Sequence, residues 1–76
     1  MKIITIYTTP NCTYCKQAKA FLQDKPGYSV YEVDISTQPK IGIKVKAELG
    51  PTMPQIVIDR VHVGGYEELK EYFSNQ

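Results

Sequence analysis

The chain has 76 residues, room for one domain, since domains typically run to about 100–200 residues. Nine Lys and Arg against eight Asp and Glu leave a formal charge of +1, without the basic excess that grips a phosphate backbone, so a nucleic-acid partner is not expected. At 42% hydrophobic and 22% charged residues the composition is that of a globular domain, and no apolar run nears the ~20 residues that cross a bilayer.

The opening Met1-Lys2-Ile3-Ile4-Thr5-Ile6-Tyr7 carries one basic residue and no apolar h-region, so no secretory signal is expected and the chain reads as cytoplasmic. Lys2 to Tyr7 is rich in β-branched residues, with Ile3 and Tyr7 on one face and Ile4 and Ile6 on the other. Such a run predicts a central strand buried from both sides. Thr8-Thr9-Pro10-Asn11 reads as a loop with Asn11 as N-cap. From Thr13 to about Asp24 the spacing is helical, with Tyr14, Ala18, Phe21 and Leu22 along one stripe, and Pro26-Gly27 ends it. Tyr28 to Val33 is again strand-like, and a parallel pair joined by a crossover helix is the simplest assembly.

Pro39 to Leu49 satisfies two periods at once. Ile41, Ile43 and Val45 alternate as in a strand, while Ile41, Val45 and Leu49 share a helical face. Ser36 or Thr37 as a cap, Pro39 in the first turn and Gly50-Pro51 as terminator favour a short helix. After Thr52-Met53-Pro54, Gln55 to Ile58 and Val61 to Val63 form a hairpin about Asp59-Arg60. Gly64-Gly65 turns into a last helix with Tyr66, Leu69, Tyr72 and Phe73 facing inward. The order is βαβαββα in a single domain, residues 1–76.

Cys12 and Cys15 are the only cysteines. A disulfide closing about four residues stabilises by only about 2 kcal/mol, so the pair is badly placed as a structural staple. Structural zinc wants four ligands, and the strong ligands here are Cys12, Cys15 and His62, so a metal site would need two chains. Reversible thiol–disulfide chemistry remains, as expected for Cys-x-x-Cys beside a βαβ pattern.

Helix geometry assigns the two sulfurs different roles. On a wheel started at Tyr14, Ala18, Leu22 and Cys15 fall at roughly 40°, 80° and 100°, and Cys12 at roughly 160°. Cys12 therefore stands outward at the helix mouth, where unpaired N–H groups and the positive dipole end favour thiolate; Cys15 is sheltered. Lys16 and Lys19 lie on the Cys12 side, one and two turns further along. Lowering a thiol pKa from about 8.5 to about 5 raises the thiolate fraction at neutral pH roughly thirtyfold, but costs roughly fortyfold in nucleophilicity. The gain lies in departure: a stabilised Cys12 thiolate leaves a mixed disulfide readily, and Cys15 resolves those that release slowly.

Cys12-Thr13-Tyr14-Cys15, Thr52-Met53-Pro54 and Gly64-Gly65-Tyr66-Glu67-Glu68-Leu69 resemble, in order and spacing, the active-site motif, the Thr-Val-Pro loop and the Gly-Gly-x-x-Asp-Leu turn of glutaredoxins. The resemblance implies an α/β, thioredoxin-like fold, a four-stranded mixed sheet with helices on both faces. It also implies glutathione-dependent reduction of protein disulfides and glutathione mixed disulfides, with Cys12 and Cys15 catalytic. No tightly bound cofactor or metal is implied; glutathione is the co-substrate, disulfide-containing or glutathionylated proteins (ribonucleotide reductase among them) are the partners, and the chain is expected to be a monomer.

The same resemblance gives the binding residues. Tyr14, a core anchor by spacing alone, flanks the glutathione site by resemblance. Pro54 is trans by base rate and cis by resemblance, turning the Met53 backbone toward Cys12 beside Thr52. The helix mouth at Gly65, Tyr66, Glu67 and Glu68 receives the γ-glutamyl carboxylate on its N–H groups, with acidic side chains near the ammonium. Three positions depart from the pattern: Glu67 replaces a commoner Ser, Thr or Asp, Thr13 replaces Pro, and Thr8-Thr9 stand where many relatives carry a basic residue. Lys40 or Lys16 are the cations available in compensation. His62 reads as a sheet-edge packing residue. Two alternatives keep the fold: a carrier reduced by thioredoxin reductase and serving ribonucleotide reductase, and an iron–sulfur module shared by two chains through Cys12.

Overall fold

A computed structural model describes residues 2–74; residues 1, 75 and 76 of the expected domain lie outside the described residues. The elements follow the expected order: β1 (Lys2–Thr8), α1 (Thr13–Gln23), β2 (Tyr28–Asp34), a 3₁₀ turn (Ile35–Thr37), α2 (Pro39–Glu48), β3 (Gln55–Ile58), β4 (Val61–Gly64) and α3 (Tyr66–Ser74). They build one sheet of order β2-β1-β3-β4, with β1 parallel to β2 and antiparallel to β3. This is the expected mixed four-stranded sheet. Asp59 and Arg60 make the two-residue hairpin turn, both with positive φ (51° and 73°), which matches the twist of the flanking strands.

The register sorts side chains onto two faces. Ile4 and Ile6 pair with Ile58 and Ile56, and all four are at most 1% exposed beneath Ala18, Leu22 and Leu69 of α1 and α3. Phe21, Tyr28, Tyr66, Tyr72 and Phe73 close the rim of this core, with Phe73 edge-on to Phe21, Tyr28 and Tyr72. The opposite face carries Ile3, Thr5 and Tyr7 of β1 with Tyr31 and Val33 of β2 and Val57 of β3. α2 lies over one end of it, around Tyr7, Val33 and Val57. Ile3, at 51% exposure, is left open, so β1 is central but fully buried on one face only.

Two caps differ from expectation. α1 is capped by Cys12, not Asn11, because the helix begins at Thr13 and the residue before it must supply the acceptor. Neither Ser36 nor Thr37 caps α2: both are drawn into the 3₁₀ turn, where the Asp34 carboxylate accepts from the Ser36 N–H at 2.9 Å. α2 starts at Pro39, which needs no N–H partner, behind Gln38, which gives no side-chain cap. No helix among the described residues is long and apolar enough to cross a membrane.

Candidate active site

Both helices of the well-packed face begin near the same end of the sheet, and the cysteines sit at the first of these beginnings. Cys15 is 1% exposed and packs inward with Ala18 and Leu22, while Cys12 is half-buried at the N-cap. The two are joined as a disulfide. The Cys15 N–H donates to Cys12 Sγ at 3.1 Å, so one otherwise unpaired donor of the helix start is already aimed at this sulfur. On the other side Cys12 Sγ lies 3.6 Å from the Met53 carbonyl oxygen.

The Met53–Pro54 peptide bond is cis, as the resemblance required, and Pro54 is buried at the start of β3. The second helix mouth is built by Gly64 and Gly65. Gly64 has φ +121°, and a Cβ there would stand 2.9 Å from Glu68 Cγ, so the turn needs glycine twice over. Glu68 folds back and accepts from Gly65 N–H at 2.8 Å, half of a capping box. That N–H is therefore taken by the chain itself, and because the first intrahelical bond runs from Leu69 N–H to the Gly65 carbonyl, the donors left at the mouth are those of Tyr66, Glu67 and Glu68.

These parts meet. Tyr14, Thr52, Met53, Pro54, Gly65, Tyr66, Glu67 and Glu68 line one cleft of about 400 Å³, within the range of small-molecule sites. All of the residues expected to bind the co-substrate are thus brought together. Tyr14 is not a core anchor: it is 58% exposed, and its ring leans on that of Tyr66 with centroids 6.3 Å apart. Its turn of α1 lies at the end of the core, so the inward stripe is carried by Cys15, Ala18 and Leu22 instead.

Lys19 pairs with Glu32 on β2 at 2.9 Å, and the same carboxylate oxygen accepts from the buried Thr8 hydroxyl at 2.9 Å. The Lys19 ammonium and the Thr8 hydroxyl together hold the Glu32 carboxyl below its ordinary range. Thr8, 2% exposed, thus spends its side chain inside the domain and offers no group to the cleft. Lys16 and Lys40 stand exposed. His62 is not a packing residue either: it is exposed on β4 and hydrogen-bonds the buried Gln55.

The glutaredoxin family model matches residues 4–63. The chain belongs to the glutaredoxin family. It is 41% identical over 70 residues to Glutaredoxin 1 of Rickettsia bellii, covering 87% of this chain and 71% of that one. Among solved structures it resembles the glutaredoxin of Brucella melitensis, with 38% identity, a TM-score of 0.78, and coverage of 95% of this chain and 78% of that one. The buckwheat glutaredoxin–glutathione complex shares the fold, with a TM-score of 0.78 at 18% identity over 95% of this chain and 68% of that one. Family and cysteine pair together make this protein a thiol–disulfide oxidoreductase with a thioredoxin-like fold.

Sequence reasoning missed two residues near the site, Gln55 and His62. Their link crosses the hairpin and has no signature along the chain.

Proposed function

We propose that the protein reduces glutathione mixed disulfides and protein disulfides at the expense of glutathione. The observation that carries this reading is the cleft itself, which runs from the Met53 backbone, beside Cys12, to the open mouth of α3. An extended tripeptide with a thiol at its centre and a carboxylate at each end, one of them beside an ammonium, matches that order of groups. The Met53 backbone pairs with its peptide as an added strand, Tyr14 and Tyr66 wall it, and the Tyr66 and Glu67 N–H groups receive the γ-glutamyl carboxylate. Glu67, exposed beside them, faces the ammonium.

The chemistry follows from the two environments. With the pair reduced, the Cys12 thiolate attacks the glutathionyl sulfur of a mixed disulfide, the substrate thiolate leaves, and Cys12 becomes glutathionylated. A second glutathione thiolate attacks the glutathionyl sulfur, releasing glutathione disulfide and restoring Cys12. With a protein disulfide, Cys12 forms the mixed disulfide and Cys15 attacks the Cys12 sulfur, freeing the substrate dithiol and leaving the Cys12–Cys15 disulfide. Cys15 being buried, the first of two resetting glutathiones attacks Cys12, and the second removes the first as glutathione disulfide.

Glutathione is thus a co-substrate, and no tightly bound cofactor takes part. The protein acts as a monomer in a compartment where glutathione is kept reduced, the cytoplasm. The test is a glutathione-dependent assay coupled to glutathione reductase, run on a glutathionylated peptide. Cys12→Ser abolishes turnover and Cys15→Ser keeps it. Equal loss from both substitutions, or turnover only with thioredoxin reductase as donor, contradicts the proposal.

A further inference from the structure

The loop that faces Cys12 belongs to no helix or strand, so something else must fix its backbone. A chain of side chains from the sheet edge does so. Gln55, the first residue of β3, is 5% exposed, and its amide spans two partners: Nε2 lies 2.8 Å from the Thr52 carbonyl oxygen, and Oε1 lies 2.8 Å from His62 Nε2. The direction of these bonds follows by elimination. A carbonyl only accepts, so the Gln55 nitrogen must face Thr52, and Oε1 then accepts from a protonated Nε2 of His62. His62 reaches across because it sits opposite Val57 in β4, diagonal to Gln55, where the register shifts between Ile56 and Val57. The amide is closed in from above by Gly50 at φ +146°, where a Cβ would come within 2.9 Å of Gln55 Nε2.

This anchoring has a geometric consequence at the cleft. In a trans peptide the C=O and the following N–H point in opposite directions, and the only cis bond among the described residues is Met53–Pro54. Tying the Thr52 carbonyl to Gln55 therefore turns the Met53 N–H away from Gln55, which does not line the cleft, toward the side of Thr52 and Met53 that does. That N–H has no hydrogen-bond partner among the described residues. We propose that His62 and Gln55 are positioning residues: a two-bond strut that aims the Met53 N–H at the peptide backbone of the substrate carrying the attacked sulfur. The proposal rests on the glutathione reading above and adds two residues outside the cleft that set preference for peptide-bearing disulfides over simple ones.

The test compares two disulfides in single-turnover mixing with the reduced protein: glutathione disulfide, which offers a peptide backbone, and bis(2-hydroxyethyl) disulfide, which offers none. The readout is the ratio of the two second-order rate constants. His62 is exposed, so its substitution spares the core. His62→Ala lowers the ratio by about two- to tenfold, the effect of one neutral hydrogen bond. His62→Gln, whose amide nitrogen stands in for Nε2 as donor, restores it. A wild-type ratio in His62→Ala, or the same loss in His62→Ala and His62→Gln, overturns the strut while leaving the glutathione reading intact. A wild type without preference for glutathione disulfide overturns both.

Discussion

The two faces of the sheet are built to different standards. Under α1 and α3, four isoleucines, Ala18, Leu22 and Leu69 are sealed to 2% exposure or less. Under α2, Val45 and Ile35 are buried, but Ile3, Ile41 and Ile43 are 51%, 37% and 71% exposed. The cysteines and the α3 mouth both belong to helices of the sealed face. A site that depends on a sulfur and an N–H row held at hydrogen-bonding distance needs helices that do not shift, and dense packing supplies that rigidity. The α2 face contributes to the site only through the Gln55–His62 strut at its far edge.

The sharpest way to break this contrast is to empty the sealed face. Leu69→Ala removes a side chain with no exposure, and is expected to lower stability in urea by about 3 kcal/mol, within the usual range of about 2–5 for such cavities. A loss under about 1 kcal/mol would mean that the two faces are not so different. The rim of the same face gives a smaller effect. Glu32→Gln removes a partly exposed ion pair with Lys19, which at such exposure is worth about 0.2–1 kcal/mol. Because the folded Glu32 pKa is lowered, its contribution is present at neutral pH, above the unfolded glutamate range, and disappears as pH falls through the folded value. The stability difference between wild type and Glu32→Gln should therefore close on acidification; a difference that widens contradicts the assignment. On the open face, Ile43→Ala should change stability by no more than about 0.5 kcal/mol. A core-sized loss there would show that Ile43 is covered in solution.

Most of the fold was legible because its elements announce themselves locally. β-Branched runs mark β1, β2 and the hairpin, Gly or Pro punctuates most boundaries (the Asp59-Arg60 turn is an exception), and the α2 segment yields to its Pro39 start and Gly50-Pro51 stop. The errors share a physical cause, which is that periodicity gives an angle about an axis and not a position along it. Tyr14 has a plausible angle but stands at the end of α1 that projects past the core. Ile3 alternates correctly but lies beyond the reach of α2. Asn11 is the better capping residue by type, yet the helix starts one residue later and a sulfur takes the position. The cleft residues were legible through three motifs in register, whereas Gln55 and His62 are joined only by a hairpin register with a shift in it.

The proposed chemistry turns on Cys12, whose sulfur at the mouth of α1, 3.1 Å from the Cys15 N–H, is expected to hold its thiolate against protonation. The pH dependence of iodoacetamide alkylation of reduced Cys15→Ser protein tests it most directly. A titration midpoint well below that of an ordinary free thiol is expected. A midpoint in the ordinary thiol range would contradict it.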